Sequence, residues 1–176
     1  MLKEKKFTKH GWVLLLLLVT LLLDGVIAQV FAQFVMAPTF TGVPQLTLIA
    51  LIMTALLLPE EMYIVAIAAV FGLIFDSYYT GMLGVNALLW PLLIYVVRQL
   101  QPVVPKSPFY IGAVVVIVLT VFTLANYAVN RFLGFAQVST ITLIANHIGP
   151  SLIVNLVLFA LAYLPLRQIL INLRID

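Results

Sequence analysis

The feature that most constrains this chain is its alternation of long apolar stretches with short loops, its few charges falling mostly in the loops or near the ends. Hydrophobic residues make up 64% and charged residues 9% of it, against roughly 45–50% and about 25% in a soluble domain. That balance excludes a soluble enzyme, a disordered linker and a nucleic-acid module, and leaves a bilayer as the solvent. The 176 residues suit a bundle of about six transmembrane helices, each needing ~20 residues. No loop is long enough for a second folded domain, so the expectation is one all-α, polytopic membrane unit over 1–176. The absence of cysteine excludes disulfides, iron–sulfur clusters and thiolate chemistry.

The hydropathy pattern predicts a first helix over 11–33, behind the basic start Lys3, Lys5, Lys6 and Lys9. A secretory leader ending near Val30-Phe31-Ala32 is the rival reading. It is set aside because the downstream chain is membrane as well. A second helix is expected over 43–58. The apolar run from Gln45 to Leu58 rises only about 21 Å against a hydrocarbon core of ~30 Å, so a re-entrant hairpin is the other possibility. The third helix is expected from Pro59 to 78, because proline suits a first turn and Glu60 and Glu61 suit the positive end of the helix dipole. A fourth follows over 81–98 with Pro91 inside it, a fifth over 109–130, and a sixth over 138–164 containing Pro150. A short tail begins at Pro165.

Six crossings return both termini to one side. That side collects Lys3, Lys5, Lys6, Lys9, Arg98, Lys106, Arg167 and Arg174, while the other has only Arg131. By the positive-inside rule both termini are expected in the cytoplasm of a multi-pass plasma-membrane protein.

Few side chains here suit chemistry. Asp24 lies within the first span, where a charge costs at least ~2.5–3.5 kcal/mol. It serves either a proton or ligand site or, the favoured reading, a hydrogen-bonded acid that fixes helix packing. Gly25, Ala28, Gln29 and Ala32 share its helix at i, i+3, i+4 and i+7, a small-residue face for another helix of this chain or for a separate protein. Thr120, Thr123, Asn126, Tyr127 and Asn130 form a polar stripe on the fifth span. Thr140, His147, Ser151 and Asn155 form another on the sixth. The two stripes are expected to face each other, through interhelical hydrogen bonds or around a small hydrated cavity. His147 alone is no metal site, and no acid near it in sequence completes a triad with Ser151. Gly81 and Gly84 are spaced for packing, without the lysine of a phosphate loop. Asp76 closes the third span and is expected either to cap its outer turn or to pair with Arg131. No catalytic residue, cofactor or metal is expected.

The segment from Gly72 through Asp76, Gly81 and Gly84 to Pro91 resembles the central signature of the rod shape-determining MreD family. Asp24-Gly25, Gln29 and Pro44-Gln45-Leu46 resemble it too, and so do the length, the span count and the basic amino end. The resemblance implies a non-enzymatic subunit of the bacterial cell-wall elongation and cell-shape machinery. Its implied partners are a single-span MreC-like protein, the cytoskeletal protein MreB where present, membrane enzymes of peptidoglycan synthesis, and membrane lipid. The family is also similar to the six-helix substrate-binding components of energy-coupling-factor transporters, and the Ala28-x-x-x-Ala32 step resembles their docking motif. The alternative reading is therefore the substrate-binding component of a vitamin-type transporter, favoured by the polar stripes and Asp24. Against it stand the short outer loops, which offer no ligand lid. An intramembrane enzyme lacks a catalytic constellation.

Overall fold

A computed structural model describes residues 9–30, 36–37, 40–80, 83–134 and 149–174. Among them it shows six helices: α1 (His10–Val30), α2 (Leu46–Leu57), α3 (Ile64–Phe75), α4 (Val85–Leu100), α5 (Pro108–Phe132) and α6 (Gly149–Leu173). A two-residue antiparallel ladder pairs Met36–Ala37 with Phe40–Thr41 ahead of α2. The protein is a helical membrane bundle, with α1, α5 and α6 long and apolar enough to cross a bilayer.

Contacts at the two ends order the helices. His10 at the start of α1 meets Glu61, just past α2. Asp24, further up α1, meets Leu46 and Thr47 at the start of α2. The two helices are thus antiparallel, and α2 is one continuous helix. α3 climbs back until the Tyr79 hydroxyl donates to the Leu21 carbonyl of α1. α4 descends to Arg98, which donates to the carbonyls of Glu61 and Met62. α6 descends from Ser151 beside Val43 to Arg174 beside Glu60. Lys9 Nζ donates to the Asn172 carbonyl at 3.2 Å, so the described starts and ends of the chain share one end of the bundle.

α2 is the axis. All twelve of its residues are buried, and it packs against α1, α3, α4, α5 and α6. At 1.5 Å per residue it is about 18 Å long, which is shorter than the bilayer core. A helix this short serves because it is sheathed in protein, where non-helical backbone at its start has partners other than lipid. The outer helices bury one stripe each: Val13, Leu17, Leu21 and Asp24 on α1; Ile111, Val115, Leu119 and Phe122 on α5; Asn155, Phe159, Tyr163 and Leu166 on α6. Their opposite faces are equally apolar, with Leu22, Ile117 and Leu161 more than half exposed. Such helices bury one side against protein and turn the other to lipid.

Several expected boundaries differ from those observed; the fourth helix, expected from 81, begins at Val85 after a turn at 83–84, where Gly84 turns the chain. The third helix begins at Ile64, and Pro59–Tyr63 are turns. Glu61 explains this. Its carboxylate holds His10 at 2.7 Å and the Tyr63 amide at 3.1 Å, and its carbonyl is taken by Arg98 at 2.7 Å. A helix starting at Pro59 would commit that carbonyl to its own ladder. α3 then widens into a π-helical turn, Asp76–Thr80. Finally, α6 continues through Pro165 to Leu173. Proline removes one ladder bond, but the buried stripe runs on through Leu166, Leu170 and Leu173, so packing carries the helix across it. The expected start of that helix, 138–148, lies outside the described residues.

Candidate functional site: buried aspartates at two helix starts

The first turn of any helix leaves backbone N–H groups without intrahelical partners, normally capped by a side chain just ahead. Neither α2 nor α4 has such a cap. Their N-cap residues are Gln45 and Gly84, with no capping side-chain bond of their own. In hydrocarbon an unmet N–H costs several kcal/mol, so acceptors must come from elsewhere in the fold.

For α2 they come from two helices. Asp24 of α1 accepts the Leu46 amide at 2.7 Å, the Thr47 amide at 2.8 Å and the Thr47 hydroxyl at 2.6 Å. Asn155 of α6 accepts the Gln45 amide at 2.7 Å and donates to the Val43 carbonyl at 2.8 Å. Ser151 Oγ accepts the Val43 amide at 3.1 Å. Asp24 and Asn155 are both buried. The carboxylate also faces the positive end of the α2 dipole, which offsets part of its desolvation.

For α4 the acceptor is Asp76, fully buried in the π turn. It accepts the amides of Gly84 at 2.9 Å, Asn86 at 3.0 Å and Ala87 at 3.2 Å, together with the Asn86 side-chain amide at 2.7 Å and the Thr80 hydroxyl at 3.2 Å. Gly84 turns the chain into α4 with φ of 105°, a region open to glycine and strained for other residues. Gly72 permits the same junction: a Cβ there would sit 2.6 Å from the Asn86 carbonyl oxygen.

These carboxylates are occupied by donors. An ionised carboxyl offers about four lone-pair sites, and Asp76 has more donors than that. Neither is arranged as a free base. No three His, Cys, Asp or Glu side chains among the described residues group as a metal would require.

Asp76 does not pair with Arg131, contrary to that expectation. Asp76 is sealed from the surface, while Arg131 is exposed and donates to the Tyr127 hydroxyl one turn back at 3.1 Å. The described hydrogen bonds of the two polar stripes differ from helix to helix. Thr120 and Thr123 donate to the carbonyls of Val116 and Leu119, and Asn130 donates to Asn126, all within α5. Ser151 and Asn155 bond to Val43 and Gln45 on the approach to α2. On the small-residue face, Gly25 is buried against the Tyr79 ring, Ala28 is half-buried and Gln29 is exposed. Ala32, Gly81, Thr140 and His147 lie outside the described residues.

Sequence reasoning did not find the roles of Gln45, Thr47 and Glu61. The available signal was the missing cap: Pro44-Gln45-Leu46 and Leu83-Gly84-Val85 open helices without a Ser, Thr, Asp or Asn at the cap position.

In comparison with known proteins, the family model described as rod shape-determining protein MreD matches residues 8–173. No curated protein and no solved structure matches the chain. The match takes in all six helices, both aspartates and the glycines of the α3–α4 junction. The chain accordingly belongs to the MreD family, membrane proteins of the rod-shape and cell-wall elongation machinery.

Proposed function

We propose that the chain is a non-enzymatic membrane scaffold that docks an MreC-like single-span protein and, with it, MreB and the wall-synthesising membrane enzymes. The observation that carries this reading is the use of Asp24 and Asp76: its two intramembrane acids are spent on fixing helix starts, which suits a rigid platform better than a reaction centre. Both termini are assigned to the cytoplasm on the charge bias, and the domain is taken as one unit.

The docking face is assigned to the far part of α1. Gly25 is filled from within by Tyr79, which leaves Ala28 and the exposed Gln29 for a neighbouring span. Small residues let backbones approach, and an amide facing lipid gains from a hydrogen bond across the contact. Co-purification of a tagged MreC-like partner with Ala28→Leu and Gln29→Leu variants tests this. Reduced recovery is expected, and undiminished recovery with both removes the face.

The transporter-type alternative draws on one observation: Gln45, whose backbone amide is held by Asn155, has its side-chain Oε1 buried without a hydrogen-bond partner. Saturable retention of a small metabolite in native mass spectrometry, lost in Gln45→Leu, is the result that would favour it.

A further inference from the structure

Most described basic residues at the shared end of the bundle are used within the chain. Lys9 donates to Asn172, Arg98 to Glu61 and Met62, and Arg174 lies 3.3 Å from Glu60. Lys106 and Arg167 are different. Both are exposed, and neither has a hydrogen bond or ion pair among the described residues.

The fold brings them to the same end of two adjoining helices. α5 and α6 run antiparallel and touch where a Cβ on Gly112 would come 3.1 Å from the Phe159 ring. Lys106 sits in the turn just ahead of Pro108, where α5 starts. Arg167 lies about 12 Å further down α6 than Phe159 at 1.5 Å per residue, toward the same end. Arg167 follows Leu161 and Leu164, which are 72% and 63% exposed, so it prolongs a surface turned to lipid. Phe109, 79% exposed, and Tyr110, 51% exposed, follow Lys106 at the start of α5 in the manner of interfacial aromatics.

A guanidinium at the edge of a lipid-facing surface extends along its apolar stem to the headgroup layer. There a phosphate offers it a bidentate acceptor. A second cation on the adjoining element adds the charge that separates anionic from zwitterionic headgroups. We infer that Lys106 and Arg167 form a binding site for the headgroup of an anionic phospholipid, between the start of α5 and the last turns of α6. The inference does not depend on the docking role proposed above.

The full-length protein, purified from bilayers holding equal phosphatidylglycerol and phosphatidylethanolamine, is examined by native mass spectrometry for retained lipid. Wild type is expected to keep phosphatidylglycerol preferentially. The preference should fall about fivefold in Lys106→Gln or Arg167→Gln and about twenty-fivefold in the double variant. Arg131→Gln, at the other end, should leave it unchanged, and Arg167→Lys should keep part of it. Equal preference in the double variant and wild type overturns the site and leaves an acidic protein segment as the occupant of these charges. Should the double variant fail to fold, salt decides: retention by wild type that does not weaken as ionic strength rises overturns the site equally.

Discussion

The Asp24 carboxylate holds Thr47 twice, through the backbone amide at 2.8 Å and the hydroxyl at 2.6 Å, so one side chain of α1 sets both the depth and the rotation of α2. Asp24→Ala leaves the Leu46 and Thr47 donors without an acceptor in a dry site, at about 1–3 kcal/mol each. A loss of roughly 3–5 kcal/mol is expected, large against the whole stability of a domain. Asp24→Asn keeps one acceptor oxygen and should lose roughly half as much. Unfolding of the purified protein in mixed micelles measures both. Equal stability of wild type and Asp24→Ala would remove the capping role.

The α3–α4 junction predicts a contrast between two glycines. At Gly72 an added methyl meets the Asn86 backbone at 2.6 Å, which cannot move without shifting α4. At Gly25 it meets only the tip of the Tyr79 side chain. Gly72→Ala should therefore cost about 1–3 kcal/mol or more, and Gly25→Ala less. Combining Gly25→Ala with Tyr79→Phe should recover part of the loss. A double-mutant cycle on thermal unfolding reads the coupling, and strict additivity would mean that the ring does not fill that space.

Arg131 is expected to matter little to stability. It is exposed and bonded one turn back to Tyr127, so Arg131→Gln should stay within about 0.5 kcal/mol of wild type. Asp76→Arg combined with Arg131→Asp should not fold better than Asp76→Arg alone. Rescue by the exchange, measured as folded protein recovered from membranes, would restore the ion pair that the structure rejects.

The shared end of the bundle predicts a cross-link. Lys9 and Asn172 meet at 3.2 Å through a side chain and a carbonyl. Lys9→Cys with Asn172→Cys should be joined by a short bismaleimide in native membranes. Both positions should also react with an impermeant thiol reagent from the same face, the cytoplasmic one on the charge bias. Labelling from opposite faces would break the helix order.

Much of the architecture was legible because lipid writes it directly into composition. The apolar stretches over 11–33 and 109–130 lie where α1 and α5 run, and Asp24 is hydrogen-bonded to the start of α2. What escaped were uses of polar groups across space. Glu60 and Glu61 fit the local rule for a helix start, yet they tie Arg174 and His10 to the turn. Asp76, expected to cap its own outer turn or to pair with Arg131, accepts the backbone amides of the next helix. Pro165 carries the usual mark of a helix stop, and buried leucines beyond it overrule that mark. Capping rules are local, whereas in a membrane the acceptor for the Gln45 amide can come from Asn155, on α6.

That distant acceptor has a consequence for biosynthesis. The amides of Val43 and Gln45 are met by Ser151 and Asn155, which are translated 108 and 110 residues later. Until the sixth segment arrives, the central helix has an open upper end and cannot take its finished place. Nascent chains halted before Ser151 should therefore remain protease-sensitive near Pro44, so that closure of the bundle waits until Ser151 and Asn155 have been made.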